Sequence, residues 1–131
     1  MQTPAIDTAV YAELQDSTGA EFVTELVQTF LEEAPVTLAE LEAALMDGAP
    51  DRFRHAAHSL KTNALTFGAT QLAAQARDLE LGGLPTDTSA LSAVFASYAA
   101  AAAVLPFGFG AVMMVVVLHR FPQVRLDTYT R

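Results

Sequence analysis

Residues 18–48 read TGAEFVTELVQTFLEEAPVTLAELEAALMDG, the longest regular pattern in the chain. Apolar residues recur in it at steps of three and four positions, which is the period of one face of an α-helix. They are Val23, Val27, Phe30, Ala34, Leu38, Leu41 and Leu45. Pro35 lies inside the pattern, but the spacing continues in phase on both sides, so we predict a kink there rather than a break. The stretch therefore predicts one long amphipathic helix that ends at Gly48.

Shorter patterns of the same kind lie on both sides of this stretch. We predict a short helix over about residues 7–15, a third helix that begins near Asp51, a fourth over about 70–83 with Thr70 as its N-cap, and a fifth from Thr88 or Ser89 to Pro106. Helices of this length with short connections are typical of bundles. We therefore predict an all-α fold, an antiparallel four-helix bundle with a short additional N-terminal helix, over residues 1–106.

The composition narrows the class of protein. A chain of 131 residues is long enough for one domain with a single core. It contains no cysteine, which excludes disulfides, thiolate metal sites and cysteine nucleophiles. Fifteen acidic against seven basic side chains give a net charge of -8, which argues against nucleic acid as a partner because phosphate binding needs a basic surface.

The C-terminal part of the chain has a different composition. Residues 107–131 begin with an apolar stretch rich in β-branched residues and continue with alternating apolar and polar residues. This pattern predicts a strand or hairpin, or a segment that pairs with a second copy of the chain as a homo-oligomer. Residues 99–118 carry no charge and have the length of a membrane span, although Pro106, Gly108 and Gly110 interrupt them. A membrane-associated or oligomerising helical protein therefore stays open as an alternative. The N-terminus lacks the features of a secretory signal, so we expect a cytoplasmic protein without a membrane segment.

The third helix contains an arginine, two histidines and a lysine within the sequence RHAAHSLKTNALTFGA at residues 54–69. Its apolar stripe consists of Phe53, Ala57, Leu60, Ala64 and Phe67. Helical spacing places another set of positions on the opposite face, namely 51, 54, 58, 61 and 65. His58 is therefore predicted to point outward, with Arg54 and Lys61 within one turn of it. A partly neutral histidine beside cations suits an anionic electrophile, and a phosphoryl group is the natural candidate.

The sequence HSLKTNALTFGA, together with Leu79 and Glu80, resembles the histidine-containing phosphotransfer (HPt) domain family. The resemblance covers about residues 6–105 and includes the FLEEAP of the long helix. It implies a helical bundle whose exposed histidine takes a phosphoryl group from the aspartate of one receiver domain and passes it to another. Carried over by position, His58 is the phosphorylated residue, Lys61 is its positive neighbour and Gly68 matches the family's second glycine.

One position departs from the family pattern. Thr62 stands where the family usually has glycine, and it adds a β-branched side chain whose hydroxyl could donate to a phosphoryl oxygen. Because of this departure at Thr62, a pseudo-HPt adaptor, which docks receivers without transferring phosphate, remains an alternative to a carrier.

Two glutamines of the fourth helix, Gln71 and Gln75, are candidates for lining the surroundings of His58.

The remaining expectations concern cofactors and partners. No Gly-rich phosphate loop or kinase signature occurs in the chain, so we expect a phosphocarrier without its own ATP site. The resemblance implies that Mg²⁺ comes from the partner receiver domain, and that the partners are response-regulator receivers and a hybrid histidine kinase. His55, His58 and Asp51 lack the further ligand that a metal site would need, so we predict no bound metal.

Overall fold

The computed structural model describes residues 5–105, and within this range the chain forms five α-helices and no strand. The predicted all-α class is therefore confirmed. The helices are α1 (Thr8–Thr18), α2 (Ala20–Met46), α3 (Pro50–Thr66), α4 (Thr70–Gly82) and α5 (Ser89–Val104). Helix α2 packs on α3, α3 on α4, and α4 on α5, which also contacts α2 and closes the bundle. Helix α1 lies against α2 and α3 outside this ring.

Helix α2 runs without interruption through Pro35. Every residue of its predicted apolar stripe is buried except Leu45, which is partly buried against the core. Leu31 and Ala44 are buried as well, because α2 contacts α1, α3 and α5 and needs a wider apolar face than one neighbour would require. Arg52 at the start of α3 binds Glu40 of α2 and the adjacent Asp47, and so joins the two helices at this end.

Several helix ends differ from the prediction, since α2 ends at Met46 rather than Gly48 and α5 at Val104 rather than Pro106. Helix α1 continues to Thr18 and ends where Gly19, with φ +89°, donates its amide hydrogen to the carbonyl of Gln15. Thr70 was predicted as the N-cap of α4 and is instead its first helical residue. The N-cap is Ala69, whose carbonyl accepts the amide hydrogen of Ala73.

The core is built from the inward faces of α2 to α5. The predicted stripe of α3 is buried, and so are the predicted inward residues of α5, which are Leu91, Val94, Phe95, Tyr98, Ala102 and Leu105. The ring of Phe30 packs against those of Phe67 and Tyr98, with centroid separations of 5.1 and 5.7 Å. These contacts join α2 to the C-terminal end of α3 and to α5.

The turn between α3 and α4 is a contact point for the N-terminal helix. Gly68 has φ +78°, and its carbonyl accepts the amide hydrogen of Asp7 at 2.7 Å. A Cβ atom at this position would lie 2.8 Å from the carbonyl oxygen of Asp7 and 3.1 Å from Cβ of Val10. Glycine is therefore required both by the backbone conformation and by the close approach of α1.

The predictions for the C-terminal part fall mostly outside the described residues. The strand or oligomerisation segment at 107–131 lies wholly beyond them, and the alternative of a membrane span at 99–118 lies partly beyond them. Among the helices between residues 5 and 105, none combines the length and the apolar character that crossing a bilayer requires.

Candidate functional site

His58 lies in the middle of α3, with 55% of its side chain exposed. Its neighbour Ala57 and the nearby Leu60 are buried in the core, and this packing turns the opposite face of α3 toward solvent. The outward placement of His58 thus follows from the apolar periodicity of the helix. An imidazole so exposed is accessible to the active site of a partner protein.

Glu80 of α4 joins the two predicted site residues of α3. Its Oε2 lies 2.8 Å from Nδ1 of His58, and its Oε1 lies 2.8 Å from Nζ of Lys61. The carboxylate is mostly buried, with 16% of the side chain exposed, whereas Lys61 is 24% exposed. The three side chains form a compact cluster, which we call the His58–Lys61–Glu80 cluster, on one face of the α3–α4 pair.

Electrostatics in this cluster keep Glu80 ionised. The hydrogen bond from Lys61, and then the one from His58, hold the pKa of the Glu80 carboxyl below its ordinary value of 4.5. An ionised carboxylate can only accept hydrogen bonds, so Nδ1 of His58 must be the donor in this contact. A neutral imidazole with its hydrogen on Nδ1 has its lone pair on Nε2. The cluster therefore leaves the lone pair of a neutral imidazole on Nε2, the nitrogen that does not contact Glu80.

Arg54 and Thr62 lie on the same helix as His58 but make other contacts. The guanidinium of Arg54 pairs with Asp51 at 3.3 Å, and both side chains are largely exposed. The hydroxyl of Thr62 donates to the backbone carbonyl of His58 at 3.0 Å. Its single hydrogen is therefore engaged within the helix, whereas the sequence suggested that it could be offered to a phosphoryl oxygen.

Among residues 5–105, neither Gly68 nor Gln75 is hydrogen-bonded to the imidazole of His58. Gly68 supports the packing of α1 on the α3–α4 turn, as described above. Gln75 is partly buried, and its side-chain oxygen is buried without a hydrogen-bond partner among residues 5–105.

His55 faces a different part of the surface, where it borders an open hollow with Glu40, Asp51 and Arg52. The structure therefore does not gather His55, His58 and Asp51 at one point.

Glu80 matches the family motif in the sequence, but no pattern there indicates a chemical role for it. The partner of a side chain on a different helix depends on the packing register, which periodicity within one helix does not report. A signal was nevertheless present. Ala76 and Leu79 belong to the inward face of α4, and Glu80 follows them by four positions and one position, which places it at the edge of that face.

A family profile described as the Hpt domain matches residues 25–104, which span most of α2 and all of α3 and α4, and extend to the end of α5. The chain belongs to the Hpt domain family. No curated protein matches the chain. No solved structure matches it either. The Hpt match includes all members of the His58–Lys61–Glu80 cluster, and membership of this family indicates a phosphotransfer role in a phosphorelay, in which Hpt domains interact with receiver domains.

Proposed function

We propose that this Hpt domain is a phosphorelay carrier that accepts a phosphoryl group on Nε2 of His58 from a receiver-domain aspartate and passes it to the aspartate of another receiver. The observation that carries the proposal is the contact of Glu80 with Nδ1 of His58, at 2.8 Å on an otherwise exposed imidazole. This contact fixes the ring and leaves the opposite nitrogen available to a partner.

The transfer step balances with the groups present at the site and on the receiver. The Nε2 lone pair attacks the phosphorus of the receiver's aspartyl phosphate, the N–P bond forms, and the O–P bond breaks. The aspartate leaves as a carboxylate with the electron pair of that bond. Nδ1 keeps its hydrogen, so the phosphorylated ring carries a positive charge that the Glu80 carboxylate stabilises. Transfer to the second receiver is the reverse of this step with another carboxylate as the nucleophile.

Lys61 supplies the positive charge nearest to this chemistry within the cluster. Its ammonium group is held 2.8 Å from the Glu80 carboxylate that also contacts the imidazole, and under this proposal it stabilises a phosphoryl group on that ring. Arg54 contributes less, because its charge is offset by Asp51. Positioning and charge stabilisation are most of what phosphoryl transfer requires of a protein.

The remaining chemistry belongs to the partners under this proposal. The receiver supplies the aspartate and the Mg²⁺ that neutralises the transferring group, and a hybrid histidine kinase supplies the phosphate at the start of the relay. The carrier thus works in the cytoplasm without an ATP site of its own.

Label transfer from phosphorylated receiver domains tests the proposal. Wild type, His58→Gln and the matched control His55→Gln are each incubated with a set of labelled receivers, and the acid lability of any label on the carrier is measured. We expect an acid-labile label on wild type and on His55→Gln, and none on His58→Gln. A label that persists in His58→Gln contradicts the assignment of the site.

An adaptor that docks receivers without transfer is the second candidate. The observation that favours it is Thr62, an exposed β-branched side chain one turn after His58. Binding of receivers by wild type without any label on the chain would establish the adaptor and exclude the carrier.

A further inference from the structure

We infer that Thr62 selects among receiver partners, admitting those with small side chains beside their acceptor aspartate and slowing those with large ones. The inference rests on the proposed function of His58. It concerns the methyl group of Thr62 as a steric element and assigns no role in transfer to the hydroxyl.

The position of Thr62 places its side chain on the same face of α3 as the imidazole. Residues four apart on a helix lie on one face, with Cβ atoms about 5–6 Å apart. Side chains of a helix also lean toward its N-terminus, so each covers the surface over the preceding turn. Thr62 therefore covers the surface between its own Cα atom and His58, and both side chains are exposed.

The hydrogen bond to His58 fixes the orientation of that side chain. A threonine in a helix chooses between two rotamers, and bonding of its hydroxyl to a carbonyl one turn earlier selects one of them. The Thr62 hydroxyl makes this bond to the carbonyl of His58 at 3.0 Å. The methyl group is consequently held in one orientation, on the face of α3 that carries the imidazole, instead of moving out of the way of a partner.

The contact of Glu80 with Nδ1 makes position 62 important for the approach of a receiver to His58. Nδ1 is occupied, so a donor must bring its phosphorus within about 3–3.5 Å of Nε2. The receiver residues that surround the aspartate must then come within van der Waals range of the neighbours of His58. In-line transfer is sensitive to displacements of about 1 Å, which cost roughly 10²-fold in rate. A fixed methyl group on the same face of α3 as the ring is therefore sufficient to distinguish small from large flanking side chains.

Three substitutions separate bulk from hydrogen bonding. Thr62→Ser removes the methyl group and keeps the hydroxyl, Thr62→Val keeps the bulk and removes the hydroxyl, and Thr62→Ala removes both. The full-length chain carrying each substitution is assayed for initial rates of transfer with a panel of phosphorylated receiver domains that differ in the size of the residues beside the aspartate. Thr66 provides a matched control, because its hydroxyl makes the same kind of bond, to the carbonyl of Thr62, one turn further from His58.

For receivers with large side chains beside the aspartate, we expect Thr62→Ser and Thr62→Ala to raise the transfer rate by roughly tenfold. For receivers with small side chains there, we expect the transfer rate to change by less than about twofold. Thr62→Val and Thr66→Ser are expected to keep the wild-type ranking of receivers. The inference is overturned, with the carrier function left intact, if the transfer rates change uniformly across the panel or do not change in any variant. It is also overturned if Thr62→Val alters the rates and Thr62→Ser does not. If wild type takes no label from any receiver, the proposed function fails, and the inference fails with it.

Discussion

Nδ1 of His58 lies 2.8 Å from Oε2 of Glu80, although 22 positions separate the two residues in the chain. The contact crosses from α3 to α4 and joins an exposed ring to a mostly buried carboxylate. It converts an ordinary exposed histidine into one whose tautomer and orientation are both determined. The chemistry proposed for the site depends on this contact more than on any feature of α3 alone.

Replacement of Glu80 by glutamine is expected to slow phosphoryl transfer. An amide can accept a hydrogen bond from the imidazole or donate one to it, so the ring populates both tautomers and loses a charged partner. We expect the transfer rate to fall by at least roughly tenfold, the scale on which loss of an orienting partner of histidine acts. Nitrogen NMR of the imidazole measures the tautomer in the same samples. Glu33→Gln makes the same charge change at an exposed position of α2 and should leave both readouts unaltered.

The same carboxylate predicts a dependence of stability on pH. The folded-state pKa of Glu80 is lowered by Lys61 and His58, so its contribution to the free energy of unfolding is fully present above its ordinary value of 4.5. The contribution is lost as the pH falls through the lowered folded-state pKa, because the carboxyl then becomes protonated in the folded state as well. The difference between wild type and Glu80→Gln in urea unfolding should be largest at neutral pH and should shrink as the pH falls below 4.5. A difference that stays constant over this range would contradict the assignment.

Substitution of Gly68 by alanine is expected to weaken the attachment of α1. The new Cβ atom would lie 2.8 Å from the carbonyl oxygen of Asp7, in addition to the strain of φ +78°. Gly48 has φ +64° with nothing within 4 Å of an added Cβ atom, so Gly48→Ala measures the backbone strain by itself. We expect Gly48→Ala to cost about 1 kcal/mol of unfolding free energy and Gly68→Ala about 2–3 kcal/mol. Equal losses in thermal or urea unfolding would show that the contact with Asp7 has no energetic importance.

Gln75 offers a test that separates a structural from a functional role. Its buried side-chain oxygen has no hydrogen-bond partner among the described residues, and burial of such a group is unfavourable. Gln75→Met is expected to raise the free energy of unfolding by about 1 kcal/mol, whereas Gln71→Met, at an exposed position of the same helix, should change it little. Transfer rates of the two variants decide whether either glutamine lines the surroundings of His58, as predicted from the sequence. A loss of stability in Gln75→Met would mean that this oxygen is satisfied in solution.

The periodicity of apolar residues was sufficient to predict the bundle. The inward residues of α2, α3 and α5 came from spacing alone, since burial of one face is a property of each helix separately. Helix ends were less predictable, because they depend on individual backbone hydrogen bonds such as the one from the amide of Gly19 to the carbonyl of Gln15.

The candidate site likewise has features that local sequence patterns predict and features that depend on packing between helices. The exposure of His58 followed from the stripe of α3, whereas its contact with Glu80 depends on how α3 and α4 are aligned along each other, which no local pattern encodes. Gly68 was singled out by its match to the family motif. Its physical reason, the close approach of Asp7, became visible only from the packing of α1.

Helix α1 has no fully buried residue, and it joins the α3–α4 turn through the backbone contact of Asp7 with Gly68. Little apolar surface must be exposed to release it, so its amide hydrogens should exchange with solvent earlier than those of the helices that share the core. The His58–Lys61–Glu80 cluster belongs to α3 and α4, whose mutual contact does not involve α1. Local opening at the N-terminal end can therefore proceed while the imidazole keeps its partner, which separates the fluctuations of this end of the chain from the chemistry of the site.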